Sequence, residues 1–498
     1  MKIFWGDLHA HCAVSYGKGT PTRALQVARE HLDFCSVTGH AFWPDMPMDL
    51  ARYDHVISLH LAGFTKLKHY WNDLLAQLSD VNEPGEFVAL PSYEWHSMAY
   101  GDHNCYFRDF DVSLIDGRDL NTLERNLTQA RRDFMLVPHH CGYRRGFRGI
   151  NWDTYQPARS PLIEVYSNHG AGEADDAYYE YHHSMGPRVG ESMVREGLLA
   201  GHRFGFLAST DNHDGYPGHY GHGRVGVMAS RLDADSIWQA LKTGRTIAST
   251  GARIAVDAQL DTTSIGEVTQ ITDRLGLEVT VEGTAPIDKL EIIEATGRDW
   301  RVRRLPVPIV SPVFEPGRHK VKIEAGWGRG TQGTDWHIEA RVYNGRLLAC
   351  DPCFRNSDPQ RAADVCDQIL EVTDSGATWK CRSVPNPSGL LGGTHFNAGG
   401  PQAVVIDIDT THSSRLRVSS GTIEFDLPIA ELVRHSTGRQ VGGIGSCALK
   451  IHRAVPEREF TAVYRERYVP LGAAKGFIYF RVSQIDGQIA WTSPIWLE

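Results

Sequence analysis

Apolar residues in the first 250 positions gather into short runs separated by longer amphipathic stretches. Lys2–Trp5 (KIFW), Asp33–Val37 (DFCSV), Phe87–Leu90 (FVAL), Phe134–Val137 (FMLV), Leu162–Tyr166 (LIEVY) and Phe204–Ala208 (FGFLA) have the length and make-up of buried strands. Pro21–Leu32 reads as a helix, with Thr20 as its N-cap and Pro21 at the first helical position. Tyr53–Leu78 repeats Val56, Ile57, Phe64, Leu67, Trp71, Leu74, Leu75 and Leu78 near helical spacing, and Glu173–His183 and Ser236–Lys242 are further helical stretches. Strands alternating with helices predict a parallel sheet, open or closed into a barrel. Past residue 250 the pattern changes. Leu275–Val281, His337–Val342, Ala403–Ile408, Thr422–Leu427 and Phe477–Val482 read as strands divided by Gly, Pro, Asn and Asp, which predicts antiparallel sheets in a β-sandwich. Arg361–Leu370 reads as a helix within that half. The expected division is therefore 1–250 and 251–498.

Composition narrows the function classes. The 498 residues are 41% hydrophobic and 22% charged, as in ordinary folded proteins, and carry a net charge of -9. Nothing basic marks a nucleic-acid or anionic-membrane partner. The start, MKIFWGDLHAHC, lacks the basic and apolar regions of a signal peptide, and no apolar run reaches the roughly 20 residues of a membrane span. Nine cysteines in so long a chain do not form a disulfide framework, so a cytoplasmic protein is expected, and a homo-oligomer is compatible with the chain. Histidine is the anomaly: 18 of 24 lie at or before His222.

Those histidines follow strands. KIFW runs into Gly6-Asp7-Leu8-His9-Ala10-His11, DFCSV into Thr38-Gly39-His40, and FVAL into Pro91-Ser92-Tyr93-Glu94-Trp95-His96. FMLV ends at Pro138-His139-His140, LIEVY at Ser167-Asn168-His169, and FGFLA at Ser209-Thr210-Asp211-Asn212-His213. In α/β folds, strand C-termini converge on one face, where sites are built. Alternate residues of an extended chain point the same way, so His9-x-His11 and Asp211-x-His213 are chelating pairs. Glu94 supplies a bridging carboxylate. His40, His103, His139 and His140 suffice for a second or third ion, with zinc, manganese or iron suited to such donors.

GDLHAH, TGH, the strand-terminal Glu94, PHH and STDNH, in this order over about 250 residues, resemble the polymerase-and-histidinol-phosphatase (PHP) superfamily of metal-dependent hydrolases. SVTGHAFW, IEVYSNHG, STDNHDGYPG, ALKTGRTIASTG and the terminal RVSQIDGQIAWTSPIWLE resemble a branch of it with a β-rich C-terminal domain. The resemblance implies a distorted (β/α)7 barrel, two or three divalent ions at its C-terminal face, and hydrolysis of a phosphate ester through a metal-bridging hydroxide. It assigns His9, His11, Glu94 and Asp211 to one metal cluster. It assigns His40, His103, His213 and one of His139 and His140 to the others, the adjacent pair being expected to point apart. Two positions depart from the family pattern: Gly39 stands where an Asp often precedes the His, and Lys18 lies where a third early ligand would fall.

The remaining expectations concern catalysis and an anionic small-molecule substrate. Asp211 or an unligated His140 would move the proton. Arg144, Arg145 and Arg148 would grip phosphate or carboxylate, with Arg145 acting at the reaction centre; Lys18 would act on an anionic substrate, and Arg224 is a weaker candidate of the same kind. Asp7 and His169 fall where they would orient ligands. Two other readings compete: amidohydrolase-like cleavage of a non-phosphate ester, lactone or amide, and a metal-containing binding protein whose β-sandwich recognises a carbohydrate or protein.

Overall fold

The computed structural model describes all residues except 178–186, 273, 308, 312, 330–332, 357–366, 386–399 and 473. It is a mixed α/β structure, rich in strands, with several sheets. The first half runs β1 (Lys2–Ala10), α1 (Pro21–His31), β2 (Phe34–Phe42), α2 (Leu50–Val81), β3 (Val88–Ala89), β4 (Ser92–Trp95), β5 (His103–Phe107), α3 (Leu120–Gln129), β6 (Phe134–Pro138), β7 (Leu162–Ser167), β8 (Gly170–Ala171), α4 (Val194–Leu199), β9 (Gly205–Ala208), β10 (Arg224–Ala229), α5 (Ala234–Lys242) and β11 (Thr246–Ser249).

Local chemistry accounts for the helices. Thr20 caps α1 by accepting from the Arg23 amide at 3.1 Å, and Pro21 occupies the first turn, where no amide hydrogen is needed. Ala24, Leu25, Val27 and Ala28 form the buried face of α1. In α2, Ile57, Leu67, Trp71, Leu74, Leu75 and Leu78 are buried at helical spacing, as the sequence pattern predicts. Its Leu67 packs straight onto β2: a Cβ on Gly39 would come within 2.5 Å of Leu67 Cδ1. A larger residue at this position would require the Leu67 side chain to shift.

The sheet is mixed rather than parallel. β1, β2 and β4 pair in parallel, but β5 enters antiparallel between β4 and β6. The short 96–102 connection between β4 and β5 explains this, because parallel neighbours need a crossover of a dozen or more residues. β10 and β11 extend the sheet antiparallel on the other side of β1. β7 and β9 pair in parallel in a separate small sheet. Single bonds tie its ends to the main sheet: Leu136 N to Arg159 O at 2.8 Å, and, at the end of β1, Asp211 N to His9 O at 2.6 Å and His11 N to Asn212 O at 2.8 Å.

The second half is strand-rich and largely antiparallel. Leu275–Glu282 alternates buried and exposed residues along most of its length, and Gln402–Ser420 pairs with both Gly317–Gly326 and Thr334–Cys353. Its last strands return to the first half, with Ile489–Thr492 pairing antiparallel onto β11. Of the expected helix at 361–370, residues 361–366 lie outside the described residues, and Gln368–Thr373 is a strand. Of the stretch 173–183, residues 178–183 lie outside the described residues, and 173–177 is not helical.

A buried carboxyl joins the halves. Asp367 accepts from Tyr216 Oη at 2.8 Å and from the Arg382 amide at 2.9 Å, and burial pushes its pKa from 3.8 up to about 7, with Asp335 adding to the rise and Arg23 opposing it. The folded state therefore binds more protons than the unfolded state between those values, so stability falls as pH rises through this window. Asp367→Asn removes the titration, and the variant should gain stability relative to the parent between pH 4.5 and pH 7.5, by at most about 3 kcal/mol. Urea unfolding at the two pH values reads the difference.

Candidate metal centre

The C-terminal ends of β1, β2, β4, β6, β7 and β9 deliver imidazoles and carboxylates to one buried rim. His9 and Asp211 lie on either side of the β1–β9 link, and His40 and Glu94 are register partners on β2 and β4. Glu94 is 1% exposed, and its two oxygens face different neighbours. Oε2 lies 2.7 Å from His40 Nδ1, 3.6 Å from His11 Nε2 and 3.9 Å from His9 Nε2, while Oε1 lies 2.9 Å from His139 Nε2 and 3.2 Å from His96 Nδ1. Asp211 divides in the same way: Oδ1 is 3.0 Å from His11 Nε2 and 3.5 Å from His9 Nε2, and Oδ2 is 2.8 Å from His169 Nε2 and 3.7 Å from His140 Nε2.

Among the described residues, five overlapping groups of donors converge closely enough to hold an ion: His9, His11 and Asp211; His11, His40 and His213; His40, Glu94 and His96; Glu94, Asp102, His139 and His140; and His140, His169 and Asp211. Imidazole nitrogens face one another at 3.0 Å (His9 and His11) and 3.1 Å (His40 and His213). Ligand bonds of 2.0–2.1 Å at tetrahedral or octahedral angles separate neighbouring ligand atoms by about 2.9–3.4 Å, which these distances match. Glu94 Oε2 and Asp211 Oδ2, both buried, have close neighbours but no hydrogen bond of proper alignment. Atoms aimed at a common point rather than at each other behave this way. The residues fit a divalent cation.

Electrostatics favour the same occupant. Burial alone would raise the carboxyl pKa values, but His96, with His139, holds Glu94 well below the usual range, and His9 and His169 do so for Asp211. Asp102 is likewise lowered to about 2, with Arg148 and His96 overcoming its burial. Burial opposes charge on His9, yet Asp211 and Glu164 raise its pKa well above 6.5, so the field draws positive charge to this point. His40 and His140 are held neutral, chiefly by burial and then by neighbouring histidines. Ionised carboxylates and neutral imidazoles are the forms that ligate, so an ion bound at His9 would displace its proton.

Other contacts aim the rings. His9 Nδ1 meets Glu164 Oε2 at 3.0 Å, His11 Nδ1 donates to Thr38 O at 2.6 Å, and His169 Nδ1 meets Tyr143 Oη at 2.7 Å. Asp7 accepts from the amides of His9, Thr210 and Gly218 at 2.8–3.1 Å and from Thr210 Oγ1 at 2.6 Å, clipping β1 to the Asp211 loop. Tyr16 stacks on His40 with centroids 3.7 Å apart and meets His60 of α2 at 3.1 Å. His140, Arg148 and Asp211 all have positive φ, at 56°, 68° and 47°, a conformation that non-glycine residues hold only under constraint from their surroundings.

Several sequence expectations change here. His103 is not in the convergent groups. β5 sets it opposite Trp95, its Nδ1 meets Gly101 O at 2.9 Å, and burial pushes its pKa down to about 4. His96 and Asp102, at the ends of the β4–β5 connection, take part instead. His139 and His140 do not point apart, because the left-handed backbone at His140 turns both rings toward Glu94 and Asp102. Of the three arginines only Arg148 is buried, and its Nε lies 2.6 Å from Asp102. Arg144 and Arg145 stay on an exposed turn, Arg144 over the Phe147 ring and Arg145 paired with Asp153 at 2.8 Å. Lys18 is exposed, with its amide on His213 O at 2.8 Å, and Arg224 is buried on β10, donating to Gly218 O at 3.1 Å. Glu164 went unnoticed, although an ionisable residue inside the apolar run LIEVY was the available signal.

No protein-family model matches the chain. An uncharacterised protein of Chlamydia trachomatis is 28% identical over 162 residues, 29% of this chain and 26% of that protein. One of Chlamydia pneumoniae is 26% identical over 247 residues, 45% of this chain and 39% of that protein. The chain thus spans between a quarter and two fifths of the curated relatives it matches. Among solved structures, a two-domain protein of Bacteroides vulgatus, described as containing a predicted PHP-like metal-dependent phosphoesterase, is 14% identical. The match covers 61% of this chain and 86% of that one, with a TM-score of 0.32.

Two outcomes test the centre. Mn²⁺ or Zn²⁺ at a hundredfold excess over its Kd should stabilise the fold by about 2.7 kcal/mol, seen as a raised Tm that EDTA reverses and that Glu94→Gln abolishes. Arg148→Met strands the Asp102 carboxylate in a dry site and should cost about 3–5 kcal/mol in urea unfolding of the metal-free protein.

Proposed function

We propose that the protein is a metal-dependent hydrolase, most simply a phosphoesterase acting on a small anionic substrate, built on a PHP-type barrel with a β-sandwich behind it. One observation carries the reading: the two oxygens of Glu94 face separate sets of imidazoles, the arrangement of a carboxylate that bridges two ions. The motif order from GDLHAH to STDNH supports phosphate esters over other substrates.

When bound, two or three divalent ions supply Lewis acidity toward an ester oxygen and toward water. The chain's own residues do the rest. His9, His11, His40, His213, Glu94 and Asp211 would hold the ions, joined by His96, Asp102 and His139. Glu164, Thr38 and Tyr143 fix the rings of His9, His11 and His169, so the donors need no rearrangement during turnover. His140, kept neutral by burial and its histidine neighbours, is placed to accept a proton or to pass one on. Arg148 serves the site through Asp102 rather than by gripping substrate, which leaves Lys18, exposed beside His213, as the candidate cation for an anionic group.

A panel of phosphomonoesters, phosphodiesters and carboxyl esters, assayed with Mn, Zn and Fe, tests this. Turnover of phosphate esters is expected, and His9→Ala or Asp211→Ala should lose bound metal and at least 10³-fold of the rate together, the scale of removing a transition-state electrostatic contact. Hydrolysis of carboxyl esters alone would establish the amidohydrolase-like chemistry instead, and full metal loading without turnover of any ester would remove the hydrolase reading.

A further inference from the structure

The loop between β9 and β10 carries two histidines that belong to none of the convergent donor groups. His219 and His222 stack face to face, with centroids 3.8 Å apart and planes 2° from parallel. Asn212, between Asp211 and His213, sets both rings. Its Nδ2 lies 3.2 Å from His219 Nδ1 and 3.3 Å from His222 Nδ1, while its Oδ1 accepts from the Asp214 amide at 2.8 Å. The Asn356 amide, from the second half, also donates to His219 Nδ1 at 3.2 Å. An amide N–H only donates, so both Nδ1 atoms are acceptors. Burial keeps the rings neutral, pushing His222 down to about 3 and His219 well below 6.5. A neutral ring whose Nδ1 accepts carries its proton on Nε2. Each ring therefore turns an N–H donor away from Asn212, and neither Nε2 has a hydrogen-bond partner among the described residues.

Arg355 completes the set. Its guanidinium lies 5.6 Å over the Tyr220 ring, the Tyr220 amide donates to Phe354 O at 2.8 Å, and the arginine's charge bears on both histidines. Among the described residues no carboxylate pairs with Arg355; Glu324, on which its charge also bears, is bonded to His452 at 2.8 Å. His222 and Arg355 are half-buried, and His219 is 2% exposed. The metal rim adjoins the cluster, because the other charge that bears on His222 is that of His169, whose Nε2 is 2.8 Å from Asp211 Oδ2. Two imidazole N–H groups and a guanidinium, with both Nδ1 acceptors already taken, form a donor set for an oxyanion. Such an acceptor would satisfy donors that are costly to leave unpaired in a largely dry place.

We propose that His219, His222 and Arg355 bind a carboxylate or phosphate of the molecule that the metal centre takes, so that its substrate carries a second anionic group besides the one the ions hold. The inference rests on the proposed function only in placing a phosphoryl group at the ions, and its test needs no turnover. Isothermal titration calorimetry of the full chain loaded with Mn²⁺ compares phosphonoacetate, phosphonopropionate and phosphonobutyrate with methyl-, ethyl- and propylphosphonate, and adds propylenebisphosphonate. At least one doubly anionic compound should bind about tenfold or more tightly than its singly anionic counterpart, and the larger gain, carboxylate or phosphonate, names the anion. Arg355→Met removes the charge, and His222→Phe keeps the stack but removes the donor. Each should cut the gain to about threefold or less, with metal stoichiometry and Tm at parent values. His222→Gln, which restores an amide donor, should recover part of it. Equal affinities within every pair would overturn the proposal. So would a gain that survives in folded Arg355→Met and His222→Phe, since the second group would then be ligating the ions. Loss of metal or a collapsed Tm in both variants would assign the residues to the scaffold and overturn it as well. A gain that behaves as expected in a protein that hydrolyses no ester would keep this site and remove the hydrolase reading alone.

Discussion

A carboxylate stays ionised in a dry interior only if positive charge or a dense set of donors faces it. Glu94, Asp102 and Asp211 are all at most 2% exposed and lie within one rim, and the rest of the first half is arranged around meeting that requirement. Arg148 compensates Asp102, and imidazoles surround the other two. The result is a field that draws positive charge toward points where several lone pairs meet. A protein selected for stability alone would replace such a cluster with apolar side chains, at little cost or with a gain.

The cost is spread through the fold. The left-handed backbone at Asp211 is clamped, since the Asp211 amide is bonded to His9 O and Asp7 ties β1 to Thr210 and Gly218. α2 covers part of the rim. It brings His60 to Tyr16 and lays Leu67 against Gly39. The second half supports the loop after His213 from outside: Asn356 Nδ2 donates to Asp214 Oδ2 at 2.7 Å, and Asp367 receives Tyr216. The β-rich half is therefore part of the scaffold around the donor cluster.

Much of the centre was legible in the chain because its information is local. Alternation of short apolar runs with amphipathic stretches located α1, α2 and the strands before each histidine motif, and the two-residue period of an extended chain made His9 and His11 a pair. Those features depend on neighbours in sequence. The parallel expectation failed at β5 because the strand beginning at His103 has no long apolar run to announce it, and a short loop forces the antiparallel return.

The sequence by itself determined that a histidine- and carboxylate-rich rim follows the strands of the first half, and that GDLHAH and STDNH hold its principal donors. Only the tertiary structure decided which neighbours of those motifs join them. Hairpin register sets His103 opposite Trp95, outside the convergent donor groups found among the described residues, and brings His96 and Asp102 into them. A left-handed residue turned His139 and His140 to the same side, and a tight turn sent Arg148 inward while Arg144 and Arg145 stayed in solvent. A side chain's direction follows from register and backbone dihedrals, which contacts distant in sequence impose, so residue type and spacing alone do not contain it.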